Sequence, residues 1–146
     1  MTQRSYFILE PEVAGSIGVR SDVDWETHPP TVQRLHYEFD GWLGGSIVAS
    51  FPCFAVTAAA RDEIEALKLS GASFEDMEVS KSDLFEELHP QKVLPQFFWL
   101  KVAANGDGDF STDKSNHLIV SDRALAIFEE QGLSDAVVTP LPSDRS

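Results

Sequence analysis

Residues 117–141, HLIVSDRALAIFEEQGLSDAVVTPL, predict a strand, a helix and a second strand in that order. The segment begins with an apolar run at residues 118–120, which is typical of a buried strand. Ser121 follows this run, and its side-chain oxygen is suited to capping the first turn of a helix. Gly132 lies just beyond the predicted helix, where glycine commonly ends one. Residues 136–141 return as a strand, so this stretch supplies a complete strand-helix-strand unit.

A second copy of this unit lies 64 residues earlier in the chain. In residues 51–79 an apolar strand leads to Thr57, which takes the place of Ser121 as the helix-capping residue. Ala60, Ile64 and Leu67 follow at the spacing of one helix face. The sequence therefore predicts an internal repeat, with repeated units at residues 51–79 and 117–141.

The other segments place this repeat in an α+β fold, within a single domain over residues 1–146. Apolar or alternating patterns predict three further strands, at residues 6–9, 35–39 and 97–102. A Ser-Asp start followed by an apolar stripe predicts one short extra helix at residues 82–88. We expect both units and the three strands to share one mixed sheet. The residues predicted to be in the core are Phe7, Leu35, Tyr37, Phe54, Val56, Ile64, Leu67, Phe98, Leu100, Ile119, Val120, Leu125 and Phe128.

Length and composition predict a soluble, folded protein. A chain of 146 residues buries about 68–70% of the surface that its unfolded form exposes, so one sizeable core is expected. The single Cys53 cannot form an internal disulfide, and its apolar neighbours indicate a buried thiol. No apolar stretch reaches the roughly 20 residues of a membrane-spanning helix, and the first residues lack the apolar core of a signal peptide. We therefore expect a cytoplasmic protein without membrane contact.

The chain is strongly acidic throughout. Twenty-four acidic against eleven basic side chains give a net charge of -13, and both halves share the excess. Such a field repels the phosphate backbone of nucleic acids and attracts basic partners. The expected partner is therefore a protein with a basic surface, although the acidity is also explained by solubility alone.

Two acidic loops outside the helices are the candidate contact surfaces. Residues 10–33 are rich in Pro and Gly and predict a long surface loop, with Trp25 as its anchor. Its acidic part spans residues 20–28, and a second acidic loop spans residues 105–115. The candidate partner-binding residues are Asp22, Asp24, Trp25, Glu26, Asp107, Asp109 and Asp113.

The sequence predicts neither a metal site nor a cofactor site. Residues 105–116 begin like an EF-hand loop, but Phe110 replaces the glycine of position 6 and Asn116 replaces the glutamate of position 12. An ordinary surface loop is favoured over incidental binding of a divalent ion. His36 and Glu38 share one face of a predicted strand, and we expect both to face solvent rather than to take part in proton transfer.

Motifs of the common enzyme classes are also missing. The sequence contains no nucleophile elbow, phosphate-binding loop, dinucleotide fingerprint or HExxH zinc site. The nearest fragment, Gly106-Asp107-Gly108, has acidic neighbours that would repel a pyrophosphate. We predict no catalytic residue, with a small enzyme of dispersed catalytic residues as an alternative.

The sequence pattern of both units resembles the recurrent element of bacterial immunity proteins from polymorphic toxin systems, namely the Myxococcus-type immunity domain and its double-CXXCG relatives. The resemblance is carried by residues 118–125 and 131–133, and more loosely by residues 54–57 and 69–71. It covers about a third of the chain. The cysteine pairs of the double-CXXCG group are missing, so a zinc-binding role is not implied. These families have no defined catalytic motif, so no functional residues are carried over.

The resemblance implies a non-enzymatic cytoplasmic protein that neutralises a cognate toxin by protein-protein contact. The small size and the acidic charge agree with that role, since electrostatic complementarity accelerates association. The alternative is a structural role, including assembly with further copies of the same chain through an exposed strand edge.

Overall fold

A computed structural model describes residues 5–104 and 106–141. Asn105, the first residue of the EF-hand-like pattern, lies outside the described residues. The fold is α+β and mostly sheet, as predicted. In chain order, the elements are β1 (Tyr6–Glu10), β2 (Gly15–Ile17), β3 (Asp22–Asp24), β4 (Thr31–Arg34), β5 (His36–Phe39), β6 (Ile47–Ser50), β7 (Cys53–Thr57), α1 (Ala58–Ala66), β8 (Ala72–Glu75), β9 (Glu78–Lys81), α2 (Asp83–Leu88), β10 (Phe97–Val102), β11 (Phe110–Thr112), β12 (Leu118–Ser121), α3 (Asp122–Gln131) and β13 (Val137–Pro140).

The two strand-helix-strand units and the short extra helix α2 are confirmed. In the first unit, β7 and β8 both pair antiparallel with β10, which lies between them. In the second unit, β12 and β13 flank β1 in the same way. A hairpin strand adds to each unit, giving the sheet orders β6-β7-β10-β8 and β11-β12-β1-β13. The repeat is therefore larger than its sequence signal and extends to four strands and one helix per copy.

Side-chain caps start all three helices where the sequence places them. Thr57 Oγ1 accepts a hydrogen bond from the Ala60 N–H at 3.3 Å. Ser121 Oγ accepts the corresponding bond from Ala124 at 3.2 Å, and Ser82 caps α2 in the same way. Each cap satisfies one of the backbone donors that a helix leaves unpaired at its first turn.

The residue that precedes the hairpin of each unit makes the same backbone contact in both units. The Ser46 carbonyl accepts from the Thr57 N–H at 3.0 Å, and the Asp109 carbonyl accepts from the Ser121 N–H at 2.8 Å. Ser46 and Asp109 therefore occupy equivalent positions. Each also bonds to the residues that follow the helix of the opposite unit: the Ser46 N–H donates to the Gly132 carbonyl, so the two units interlock.

The central strands continue the same interlocking. Beyond β1, the Glu12 carbonyl accepts from the Ala49 N–H of β6 at 2.9 Å, and beyond β10, the Ala103 carbonyl accepts from the Thr112 N–H of β11 at 3.2 Å. Isolated parallel bridges accompany both contacts. The central strand of each unit thus reaches the first hairpin strand of the other, and Glu12 and Ala103 are structural counterparts.

The expectation of one mixed sheet for all predicted strands is wrong in detail. β1 and β10 are each the inner strand of a separate antiparallel sheet, whereas β5 lies in a third sheet, between β2 and a parallel β9. A strand has only two hydrogen-bonding edges. Each unit occupies both edges of its own central strand, and the strands of the two units meet through the isolated bridges that lie beyond β1 and β10.

Residues 10–33 are not the long loop that their Pro and Gly content predicts. They contain β2, which pairs with β5, and the hairpin of β3 and β4. Trp25 does not anchor this segment, because 54% of its surface is exposed. Strands of three or four residues leave too few alternating positions for a pattern to be recognised.

The predicted solvent position of His36 is also wrong. Its imidazole is buried between β2 and β9: Nδ1 accepts from the Arg20 backbone N–H at 3.2 Å, and Nε2 lies 2.7 Å from Ser80 Oγ. The Gly18 backbone lies directly against the ring, so the turn after β2 covers the polar face of β5 at His36.

The repeated helices α1 and α3 and one face of each large sheet share one apolar core. The other face of the sheet of β7 and β10 packs against β5 and α2 in a second cluster. Of the predicted core residues, Phe7, Phe98 and Ile119 are only half-buried, and Leu67 is 51% exposed. Leu67 is the C-cap of α1, so the helix ends one position before its stripe would bury this side chain, and Leu69 is buried instead. The predicted core residues found buried are Leu35, Tyr37, Phe54, Val56, Ile64, Leu100, Val120, Leu125 and Phe128.

No helix in the described part of the chain is long and apolar enough to cross a membrane. Cys53 is buried and free, and burial raises the pKa of its thiol to about 12.

Replacement of Phe128 by Ala tests the shared core. Phe128 is fully buried and packs edge-to-face on Phe110 of the same unit. We expect a loss of about 3–5 kcal/mol in the free energy of unfolding, measured by denaturant titration, because the change leaves a cavity. Leu67→Ala, at an exposed apolar site, is the control and should cost less than about 1 kcal/mol. A Phe128→Ala loss as small as that of the control would contradict this packing.

Candidate functional site

Asp109, one of the candidate contact residues, is a structural residue rather than part of an exposed acidic loop. It is 1% exposed, so the expectation that it faces a partner is wrong. Its carboxylate accepts from Ser121 Oγ at 2.7 Å, from the Ser70 N–H at 3.0 Å and from Arg123 Nη2 at 3.2 Å. Ser70 follows α1 and Ser121 caps α3. Asp109 therefore ties the end of one repeated helix to the start of the other.

Asp113 has a local structural role. Its Oδ1 accepts from the backbone N–H groups of Ser115 and His117, both at 2.9 Å, and its Oδ2 lies 3.0 Å from His117 Nδ1. Partial desolvation raises the pKa of this carboxyl. The hydrogen bonds from His117 and Ser115 and the nearby imidazole lower the pKa by a larger amount, so the net shift is downward. Asp113 stabilises the turn between β11 and β12.

The remaining candidates are exposed but do not form one cluster. Asp22, Asp24, Trp25 and Glu26 lie on and after β3, in the hairpin with β4, whereas Asp107 lies beside Tyr6, whose hydroxyl donates to its carbonyl. The two predicted loops do meet at another point. His28 and Pro29 line the same cleft as Lys114, Ser115 and Asn116.

Asp109→Ala tests the tie between the units. We expect the free energy of unfolding to fall by roughly 3 kcal/mol or more, because a hydrogen bond to a charged group contributes about 1.5–3 kcal/mol and several are lost. The matched control is Asp107→Ala, two positions away with an exposed side chain, which should change stability by less than about 0.5 kcal/mol. Equal effects of the two changes in thermal and denaturant melts would refute the structural role of Asp109.

Glu12 forms the floor of a different site, which the sequence did not single out. Its side chain is buried, with 3% of the residue exposed. Oε2 accepts from the Leu43 N–H at 2.7 Å, whereas Oε1 is buried and receives no hydrogen bond of normal geometry from the described residues. Gly45 lies so close that a side chain there would meet Oε1 at 3.0 Å. Glu12 therefore borders the pocket with a buried carboxylate, one oxygen of which is enclosed on the side of Gly45.

The walls of this pocket are acidic and aromatic. A cavity of about 320 Å³ is bounded by Glu12, Asp40 and Asp135, together with His89 and the indole of Trp42. We call this the Glu12 pocket. The indole is held in place because its N–H donates to the Gly45 carbonyl at 2.9 Å.

The repeat shows that the scaffold does not need a carboxylate at this position. The carbonyl of Glu12 and that of Ala103 accept equivalent backbone hydrogen bonds in the two units. Alanine suffices in one copy, while the other copy buries an acid with an unsatisfied oxygen, which costs stability. A buried group that the fold tolerates at a cost is a candidate for function.

Burial raises the pKa of Glu12, against the lowering effect of the Leu43 and Gly45 backbone amides; nearby Asp135 raises it further and Lys92 lowers it. A carboxyl whose pKa is higher in the folded state than in the unfolded state binds its proton more tightly there. Its contribution to stability is present below the unfolded pKa and is lost as the pH rises through the folded pKa.

Glu12→Gln should therefore stabilise the protein more, relative to the unchanged chain, at about pH 8 than at about pH 4, because glutamine keeps the uncharged form at both pH values. Denaturant titration at each pH measures the difference. Glu10→Gln removes the same charge from an exposed neighbour and controls for the overall charge of the chain. A stability difference for Glu12→Gln that does not change with pH would contradict the raised pKa.

Exposed apolar side chains extend from the Glu12 pocket across one surface. Val13, Leu43 and Phe51 are each more than half exposed. Val13 and Leu43 line the Glu12 pocket, and Val13 also lines a groove of about 190 Å³ together with Phe51. Phe51 in turn borders the cleft of His28 and Pro29. We call the surface of Val13, Leu43 and Phe51 the apolar rim.

Only a weak signal in the sequence marked this region. Glu12 stands between Pro11 and Val13-Ala14, so that an acid is flanked by apolar residues. Such flanking does not tell a buried acid from an exposed one, and the pocket depends on Asp40, His89 and Asp135, which are distant in sequence. In the described part of the chain, no group of three or more His, Cys, Asp or Glu residues is placed to hold a metal ion.

Comparisons with known proteins show no family for this chain. No protein-family model matches the chain, and a search of curated proteins gives no match. The resemblance to immunity proteins therefore depends on the residues of the two repeated units and stays a prediction.

Proposed function

We propose that this chain is a non-enzymatic, cytoplasmic binding protein that neutralises a basic protein partner by covering the partner's functional surface, as immunity proteins of polymorphic toxin systems do. The observation that carries the proposal is the continuous surface formed by the apolar rim and the Glu12 pocket. It combines exposed apolar side chains with buried and exposed carboxylates.

The apolar rim supplies the contact area. Large exposed apolar residues scattered singly are ordinary on protein surfaces, but those that share one groove mark an interaction site. Two neighbouring depressions, which share Val13, are bordered by Val13, Leu43 and Phe51. A side chain of the partner can insert into them. Interface energy is concentrated in such pockets.

The acidic charge supplies selection and speed. With a net charge of -13, the chain attracts a basic partner over several ångströms and repels acidic proteins. The exposed acids of the β3–β4 hairpin, Asp22, Asp24 and Glu26, add to this field.

The test is binding to, and protection against, the protein encoded next to this chain in its native genome. We expect co-expression to restore the growth of cells that produce that neighbour, and the purified pair to associate more slowly as the salt concentration rises. Absence of both protection and binding would refute the proposed function, and a stable complex formed only between copies of this chain would favour the structural alternative.

Phe51→Asp locates the partner surface. We expect at least a tenfold loss of affinity by calorimetry, because the change places a charge within the apolar rim. Leu84→Asp is the matched control, since Leu84 is a similarly exposed apolar residue on α2, outside the rim. Equal losses of affinity for the two variants would show that the rim is not the interface.

A further inference from the structure

We infer that the outer edge of β8, the edge turned away from β10, accepts an extended basic segment of a partner protein as an additional strand. The inference goes beyond the proposed function. β8 lies at the opposite edge of its sheet from β6, and the turn between β6 and β7 carries Phe51 of the apolar rim. The mode of contact is also different, because backbone groups rather than pockets hold the partner.

The first argument is a row of unpaired backbone groups on β8. In the described part of the chain, β10 is the only strand that pairs with it. The Ala103 N–H donates to the Gly71 carbonyl at 2.9 Å, so every second residue from Gly71 onwards directs its backbone groups towards β10. Ala72 and Phe74 therefore direct theirs outwards, where no hydrogen bond from another described residue reaches them.

The edges of β6 and β11 do not offer the same groups, because the chain itself occupies them. The Ala49 N–H of β6 donates to the Glu12 carbonyl, and the Thr112 N–H of β11 donates to the Ala103 carbonyl. A further strand would have to displace these contacts.

The edge of β13, the counterpart of β8 in the other unit, is blunted by proline. The Leu141 N–H donates inwards to the Tyr6 carbonyl at 3.0 Å, so Pro140 faces the outer side of the strand, where it offers no N–H. Asp76 stands 64 residues before Pro140 and keeps its N–H. Of the outer edges that the described residues form in the two large sheets, the edge of β8 is the one left open, and proteins commonly protect such edges.

The side chains at this edge select the occupant. Phe74 is half-buried, so an apolar side chain on an added strand would cover more of its ring. Glu75 and Asp76 are exposed at the end of β8. Lys101 pairs with Glu75 at 3.2 Å, whereas Asp76 has no cationic partner among the described residues. A strand in which basic and apolar residues alternate would meet both features.

A second copy of this chain is the alternative occupant, and charge disfavours it. Each copy has a net charge of -13, so two copies repel each other. The same field attracts a basic segment, at a rate that falls as the salt concentration rises.

The test follows the backbone amides of the intact, isotope-labelled chain by NMR. The probe is the peptide acetyl-Lys-Val-Lys-Val-Lys-Val-amide. We expect saturable shifts of the Ala72 and Phe74 resonances, and slowing of their hydrogen exchange by about tenfold or more, because the added strand protects both N–H groups. The acidic peptide acetyl-Glu-Val-Glu-Val-Glu-Val-amide should produce neither effect. No saturable shift at these amides with the lysine peptide, or equal shifts with the acidic peptide, overturns the inference.

Two substitutions at Asp76 separate the backbone from the charge. Asp76→Pro copies the proline of β13, whereas Asp76→Asn removes the charge alone. We expect Asp76→Asn to weaken the lysine peptide about threefold. Asp76→Pro should weaken it by a further factor of about three to ten, the loss that one hydrogen bond of ordinary strength produces.

Thermal melts check that both variants are folded. Equal affinities of the two folded variants for the lysine peptide would show that the hydrogen-bonding edge is not the site. If the proline variant does not fold, the amide shifts and exchange rates of the unchanged chain decide the inference.

The remaining outcomes are also distinct. Shifts of the Ala72 and Phe74 resonances that grow with protein concentration, without peptide, would identify a second copy as the occupant and overturn the assignment of a basic segment. Failure of the neighbouring protein to bind refutes the proposed function alone, whereas the peptide measurements refute this inference alone.

Discussion

The buried carboxylate of Asp109 is the interaction on which the rest of the structure depends. It accepts hydrogen bonds from the cap of α3 and from the residue that follows α1, and it is almost completely excluded from water. In such surroundings a charged acceptor is favourable only when its donors are fixed around it. Because those donors belong to different repeated units, satisfying one side chain also fixes how the units meet.

The two repeated units also interlock through their central strands. Each unit consists of a hairpin, a helix and a return strand around a central strand, and the central strand of the second unit, β1, comes from the beginning of the chain. Each central strand then extends to the hairpin of the other unit. Neither unit can bury its helix alone, so the core is shared and its loss is expected to be cooperative.

Near-symmetry makes the differences between the units informative. Where Asp109 binds Ser70 and Ser121, its counterpart Ser46 donates to the Gly132 carbonyl. One unit has Ala103 at the position that Glu12 occupies in the other. Among the described residues, one carboxylate oxygen of Glu12 receives no hydrogen bond of normal geometry. The first difference stabilises the fold, whereas the second costs stability and sits beside exposed apolar side chains. Function is therefore assigned to the second, in keeping with the general conflict between optimal packing and binding sites.

The sequence by itself determined the repeated units, their caps at Thr57 and Ser121, the helix end at Gly132 and the central strand at residues 97–102, because each depends on signals within a few neighbouring residues. Only the tertiary structure decided the division into separate sheets, the burial of His36 and Asp109, and the exposure of Leu67 and Trp25. Those outcomes depend on which strand edges and cavities are already occupied by distant segments. The Glu12 pocket belongs to this second group, since its acids come from three separate parts of the chain and only folding brings them together.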